Sequence, residues 1–131
     1  MLRTIASYIF LIVGVVIGLG AFGHGHAVTK VHDAIDQFPI EPGIHQTLYM
    51  VWYFVSGAML TFGATIVWVW FRLRAGSAGS LFAAYPIGAL YFVFGTWAFV
   101  DRRGDPFALV FILLGALLLA SSLVLGVDRQ K

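Results

Sequence analysis

The chain has 131 residues, of which 60% are hydrophobic and only 11% are charged. Soluble domains carry roughly 25% charged residues, and so few charges cannot cover a water-soluble domain of this size. The mean hydropathy of +0.92 also indicates a predominantly apolar chain. This composition excludes an intrinsically disordered chain and a nucleic-acid-binding domain. We expect an integral membrane protein in contact with the lipid bilayer. Since there is no cysteine, disulfides, thiolate metal sites and cysteine nucleophiles are excluded as well.

Four apolar stretches are each long enough for a membrane-spanning helix, which needs roughly 20 residues. They cover about residues 5–23, 46–71, 81–100 and 107–127. None of them contains Asp, Glu, Lys, Arg or His. Buried ionisable groups mark ion paths and proton relays, so their absence disfavours a channel or a proton-coupled carrier built from one copy.

The last two connections are short and carry residues that stop and start helices. Gly76 and Gly104 are suited to end a helix, and Asp105 with Pro106 is suited to begin the fourth one. Connections this short make neighbouring spans antiparallel. The predicted fold is therefore an all-α integral membrane protein, a four-transmembrane-helix up-down bundle forming a single domain over residues 1–131.

The first connection is longer and contains a short amphipathic pattern over residues 27–38. Val28, Val31, Ile35 and Phe38 are spaced three, four and three residues apart, which places them on one face of a helix. Lys30 falls on the opposite face. This pattern predicts a short amphipathic helix lying in the membrane interface between the first two spans.

Basic residues indicate the orientation of the spans. With the N-terminus in the cytoplasm, five lie on the cytoplasmic side (Arg3, Arg72, Arg74, Arg129 and Lys131) and three on the other side (Lys30, Arg102 and Arg103). The positive-inside rule favours this arrangement. We therefore predict a multi-pass protein of the cell inner membrane, with both termini cytoplasmic and the first connection facing the periplasm.

All four histidines lie in or beside that first connection, at His24, His26, His32 and His45. Imidazole is the commonest metal ligand, so these four residues are candidate ligands of a metal or a haem. We do not favour that alternative, because residues two apart on a helix point to opposite sides and His24 and His26 are so spaced. We favour interfacial polar residues that cap helices and bond to lipid headgroups.

A mixed polar stripe runs down the start of the second span. His45, Tyr49, Trp52 and Ser56 are spaced four, three and four residues apart, so they share one helix face. If His24 meets the upper end of this stripe, a quinone, sterol or lipid headgroup could bind there, with His24, His45, Tyr49 and Trp52 as its contacts. Ordinary helix packing is the commoner origin of such a stripe.

Small residues in the spans predict close helix contacts. Gly14 and Gly18 form a G-x-x-x-G pair in the first span, and Gly57 and Gly63 lie in the second. Such residues let helix backbones approach within a membrane, either inside the bundle or in a homo-oligomer or larger membrane complex.

The sequence carries no nucleotide loop, nucleophile elbow or H-E-x-x-H motif, so catalytic residues are not identified and an enzyme is disfavoured. The first hypothesis is an accessory or structural subunit that works by lateral helix packing. The alternatives are a metal- or haem-binding protein that uses the periplasmic histidines, and a small lipid- or quinone-binding protein or enzyme.

Overall fold

The structure is a computed structural model that describes residues 1–38 and 40–127. Within these residues the chain is helical and contains no strand. The elements are α1 (Leu2–His26), α2 (Val28–Ile35), α3 (Pro42–Arg74), a 3₁₀ helix (Ala78–Ala83), α4 (Ala84–Asp101) and α5 (Pro106–Val127). Four helical segments are long and apolar enough to cross a membrane, which confirms that part of the predicted fold. Arg129 and Lys131, which entered the orientation count, lie outside the described residues.

Three of the four long helices extend beyond the apolar runs from which they were predicted, whereas α4 begins later than its run. The largest difference is in α3, which has 33 residues and begins with Pro42 in its first turn. At about 1.5 Å per residue it is about 50 Å long, against roughly 30 Å for a bilayer hydrocarbon core. The apolar run marks only the stretch suited to lipid, whereas the helical backbone continues into its polar flanks until Gly76, where φ is +95°, ends it.

The start of the third span also differs from the sequence prediction. Residues 78–83 form a 3₁₀ helix, and α4 begins at Ala84. Pro86 therefore lies in the first turn of α4, where backbone N–H groups have no intrahelical partner. At that position the missing N–H of proline removes no helical hydrogen bond.

The helices pack as two pairs joined by α1. α1 packs along α3 and also against α5, α4 packs along α5, and α3 makes few contacts with α4. The shared core includes Phe10, Ile17, Ile66 and Leu118, each less than 2% exposed. Because α1 is its main neighbour, α3 is covered mostly on one side.

Close contact between α1 and α3 depends on glycine. A Cβ added at Gly63 would lie 2.5 Å from Gly18 Cα and 2.7 Å from the Gly14 carbonyl oxygen, and one added at Gly14 would lie 2.7 Å from Ile66 Cγ2. Gly57, which the sequence analysis grouped with these glycines, takes no part: it is exposed, and an added Cβ there would meet nothing within 4 Å. Gly57 lies on the face of α3 that α1 does not cover.

The α4–α5 pair is built in the same way. A Cβ added at Gly95 would lie 2.6 Å from the Ile112 backbone nitrogen, and one at Gly115 would lie 2.7 Å from the Gly88 carbonyl oxygen. Such close backbone approach brings many atoms of the two helices into van der Waals contact. The two glycine contacts therefore hold each helix pair together.

The amphipathic helix is present as α2, but it is shorter than predicted. Val28, Val31 and Ile35 are half-buried, and Lys30 is exposed. Phe38 lies beyond the end of the helix and is 65% exposed. The apolar stripe of α2 thus faces the ends of α1 and α3, which it contacts.

Candidate functional site

The end of α1, the helix α2 and the start of α3 lie together, and we call this region the histidine end of the molecule. The first contact group there is formed by His24, Trp52 and Ser56. The ring of His24 stacks on the indole of Trp52, with centroids 4.2 Å apart and planes 15° apart. Nδ1 of His24 lies 2.9 Å from Oγ of Ser56. The two aromatic rings and the hydrogen bond join α1 directly to α3.

Backbone carbonyls complete this first group. The indole N–H of Trp52 donates to the carbonyl oxygen of His24 at 2.7 Å, and the Ser56 hydroxyl is 3.2 Å from the carbonyl oxygen of Trp52. A serine hydroxyl has one proton. When Ser56 donates that proton to Trp52, its oxygen accepts from Nδ1–H of His24, and Nε2 of His24 is left as an acceptor. The group is thus a directional hydrogen-bonded clamp.

The second contact group is centred on the carboxylate of Asp36, just after α2. His32 Nδ1 lies 2.8 Å from Asp36 Oδ2, and His45 Nε2 lies 3.2 Å from Asp36 Oδ1. One carboxylate therefore bridges an imidazole on α2 and an imidazole on α3. All three side chains keep substantial contact with solvent, at 53%, 49% and 29% exposure for His32, Asp36 and His45. This bridge fastens α2 onto α3.

Tyr49 packs against both imidazoles of the second group, so that the three rings form a triangle. Its ring centroid is 5.5 Å from that of His32 and 4.9 Å from that of His45. The contact with His45, at 90°, is the edge-to-face arrangement that aromatic side chains prefer. The hydroxyl oxygen of Tyr49 is buried and has no hydrogen-bond partner among the described residues. It is thus a buried, unpaired donor within the histidine end.

The structure divides the residues that the sequence analysis grouped together. His24 and Trp52 belong to the first group, whereas His45 and Tyr49 belong to the second with His32. The side chain of His26 is exposed at the end of α1. Within residues 1–38 and 40–127, no three or more His, Asp or Glu side chains are arranged to hold a metal ion. His24 and His45 thus make their contacts in two different groups along α3.

The contact of Asp36 with His32 can be read from the sequence, because the four-residue spacing of the two is a recognisable helical pair and makes Asp36 a candidate carboxylate for the histidines. Nothing in the sequence indicates that the same carboxylate reaches His45, because that contact depends on α2 continuing the course of α1 alongside α3.

The histidine end offers polar groups to a molecule at its surface. His32 and His45 each use one ring nitrogen on Asp36 and keep a second, whereas the unpaired Tyr49 hydroxyl is buried and becomes accessible only if neighbouring side chains move. These groups are suited to hydrogen bonding with a polar headgroup. No protein-family model matches this chain, and neither a curated protein nor a solved structure matches it.

Proposed function

We propose that this chain is a small four-span membrane protein that acts as an accessory or structural subunit through lateral helix packing. In this proposal the four helices alternate in direction across the inner membrane, with both termini cytoplasmic and the histidine end periplasmic. Its partners are a second copy of the chain or the helices of a larger membrane complex, within the lipid bilayer.

One observation carries the proposal: the face of α3 that α1 does not cover has the shape and composition of a helix contact. It holds a shallow groove of about 400 Å³ lined by Leu60, Thr61, Ala64, Thr65 and Trp68. Small residues on a helix face allow another helix to approach closely in a membrane. The groove therefore offers a second helix a place to pack.

The polar groups of this groove are already satisfied within α3. The Thr61 hydroxyl donates to the Gly57 carbonyl at 2.9 Å, and the Thr65 hydroxyl donates to the Thr61 carbonyl at 2.8 Å. An incoming helix therefore needs to supply no hydrogen bond, and the methyl groups of both threonines are left for packing. Trp68 is 56% exposed beside them and provides a large contact surface.

Enlarging one groove residue tests the proposal. Ala64→Leu fills the groove, whereas Ala89→Leu makes the same change at an exposed position on α4. We expect Ala64→Leu to lower co-purification of a differently tagged copy, or of the native complex, at least about fivefold in mild detergent, with Ala89→Leu close to wild type. Equal co-purification by both variants would show that the groove faces lipid only.

The orientation has its own test. A reporter enzyme that is active only outside the cytoplasm, fused after Lys131, is expected to be inactive. The same reporter inserted in the connection between α4 and α5, after Arg103, is expected to be active. Strong activity of the C-terminal fusion would contradict the proposed topology while leaving the packing proposal to its own experiment.

A second candidate function is favoured by the unpaired hydroxyl of Tyr49. In this candidate the histidine end binds the polar head of an amphipathic molecule, such as a quinone or a lipid, whose carbonyl or phosphate oxygen accepts the Tyr49 hydroxyl proton. Tyr49→Phe removes only that donor, and Tyr53→Phe makes the same change at an exposed neighbour on α3. Binding of a short-chain quinone is expected to weaken in Tyr49→Phe and to persist in Tyr53→Phe; equal binding by both would reject this candidate.

A further inference from the structure

The opposite end of the molecule contains a cleft that neither candidate function uses. α1 begins there and α3 and α5 end there, and we call it the arginine end. The cleft has a volume of about 290 Å³. Arg3, Thr4, Ser7 and Tyr8 line it from α1, Arg74 lines it from α3, and Leu73 and Leu125 supply apolar walls. Two arginines from different helices therefore border one cleft.

We propose that this cleft binds the phosphate group of an anionic phospholipid. Arg3 and Arg74 carry two positive charges, and a guanidinium presents its N–H groups in a fork that fits phosphate oxygens. The hydroxyls of Thr4 and Tyr8 can add neutral hydrogen bonds to the same oxygens. Basic pockets between membrane helices are suited to anionic headgroups.

The charges of the molecule support an anionic rather than a zwitterionic ligand. No acidic side chain among the described residues forms an ion pair with Arg3 or Arg74. Five of the six acidic residues belong to the histidine end or to the α4–α5 connection; the sixth, Asp128, lies outside the described residues. A zwitterionic headgroup would bring its own positive group towards two arginines, whereas a headgroup with a net negative charge would not.

Neighbouring contacts position the cleft residues. The guanidinium carbon of Arg74 lies 5.0 Å from the centroid of the Trp70 indole, a distance at which cation–π attraction operates. The Trp70 indole N–H donates to the Ser7 hydroxyl oxygen at 3.0 Å, which leaves the Ser7 proton for another acceptor. Trp70 thus joins Arg74 on α3 to the α1 wall of the cleft.

The cleft fits a lipid better than a free anion because polar and apolar surfaces meet in it. Tyr8 is 54% exposed and lines the cleft together with the two arginines, whereas Leu125 is 5% exposed and closes the buried wall. A phosphodiester in the cleft would place its glycerol and the start of its acyl chains against the exposed ring of Tyr8. Free phosphate would gain the charge contacts alone.

Arg72 provides a matched control for the experiment. It lies on α3 only two residues from Arg74, but it does not line the cleft, and its guanidinium lies 5.9 Å from the Trp68 ring instead. Arg72→Gln therefore removes the same charge from the same end of the molecule. Any loss of lipid binding that is due to net charge alone will appear in this variant too.

The test titrates short-chain phosphatidylglycerol and phosphatidylcholine into the purified chain in a zwitterionic detergent, with native mass spectrometry as the readout. We expect the wild type and Arg72→Gln to bind phosphatidylglycerol in preference to phosphatidylcholine. We expect Arg3→Gln and Arg74→Gln each to bind it about tenfold more weakly, since a hydrogen bond to a charged group contributes roughly that factor. Arg74→Lys, which keeps the charge but loses the fork, is expected to fall between wild type and Arg74→Gln.

Three results would overturn the proposal. They are equal binding of the two lipids, an equal loss in Arg72→Gln and the cleft variants, and displacement of the lipid by millimolar inorganic phosphate, which would identify a free anion as the ligand. Thermal melting without added lipid shows whether each variant is folded, and Arg74→Lys supplies the test if Arg74→Gln is not.

Discussion

Gly63 lies directly against the backbone of Gly18, so that α3 and α1 meet there with no side chain between them. The carbonyl oxygen of Gly14, one turn of α1 before Gly18, borders the same contact. A Cβ added at Gly63 would lie 2.7 Å from it. Any larger residue at position 63 must therefore separate two backbones. The contacts of Trp70 with Ser7 on one side and of Ser56 with His24 on the other depend on the helix separation that this glycine permits.

Gly63→Ala is expected to destabilise the protein by about 1–3 kcal/mol, the usual cost of forcing an extra methyl group into a packed contact. The matched variant is Gly57→Ala on the same helix, where an added Cβ meets nothing within 4 Å. Since alanine favours a helix over glycine by up to about 1 kcal/mol, Gly57→Ala is expected to be neutral or stabilising. Thermal melting in detergent measures both, and equal melting temperatures would contradict the glycine contact.

A buried hydroxyl in the α4–α5 pair provides a second prediction. Tyr91 is 5% exposed, its ring stacks near Phe111 with centroids 5.8 Å apart, and its hydroxyl has no partner among the described residues. An unpaired buried hydroxyl costs free energy. Tyr91→Phe is therefore expected to leave the melting temperature unchanged or to raise it, with a gain of up to about 1 kcal/mol.

Tyr85 on the same helix is the comparison for that variant. Its hydroxyl lies 3.5 Å from the carbonyl oxygen of Ser122, so Tyr85→Phe removes a weak hydrogen bond rather than an unpaired group. We expect Tyr85→Phe to be slightly less stable than wild type. If Tyr91→Phe proved the more destabilising of the two, the Tyr91 hydroxyl would have to be bonded in the protein.

Much of the fold could be predicted from the sequence because apolar runs and turn residues are local properties. The runs located four long helices, and Gly76 ended α3 as expected. The sequence alone could not predict which glycine of α3 lies in a helix contact. Gly57 and Gly63 are both small, and only the position of α1 distinguishes them. Periodicity gives the faces of a helix but not its neighbours.

The candidate site shows the same division between local and tertiary information. The stripe from His45 to Ser56 lies within α3, and its spacing is a property of one helix. Its contacts depend on the neighbouring helices: α2 continues alongside α3 and brings Asp36 to His45, while His24 on α1 meets Trp52 and Ser56. The cleft at Arg3 and Arg74 combines residues that are 71 positions apart, and no local pattern links them.

The Asp36 carboxylate, which contacts His32 on α2 and His45 on α3, is expected to hold α2 against α3. Asp36→Asn keeps the shape of the side chain but removes the charge that faces His32 and His45, so exchange of the α2 backbone amides with solvent is expected to become several-fold faster. Asp33→Asn is the control, because Asp33 is exposed and its carboxylate forms no ion pair among the described residues. Hydrogen–deuterium exchange with mass spectrometry measures both, and equal protection of α2 in the two variants would show that its apolar stripe alone holds it.

The clamp between His24 and Ser56 can be measured as a coupling energy. Ser56→Ala removes the hydroxyl that lies 2.9 Å from His24 Nδ1, and His24→Phe keeps an aromatic ring for stacking on Trp52 but loses the nitrogen. If the two side chains bond to each other, the double variant loses less stability than the two single variants together, with a coupling of about 0.5–1.5 kcal/mol. His24→Ala also loses the stacked ring and is expected to cost about a further 1 kcal/mol. Thermal melting of the wild type, Ser56→Ala, His24→Phe and the double variant gives the coupling energy. Strictly additive losses of stability would mean that Ser56 bonds only to the Trp52 carbonyl. The Trp52 indole donates to the backbone carbonyl of His24, which none of these substitutions removes.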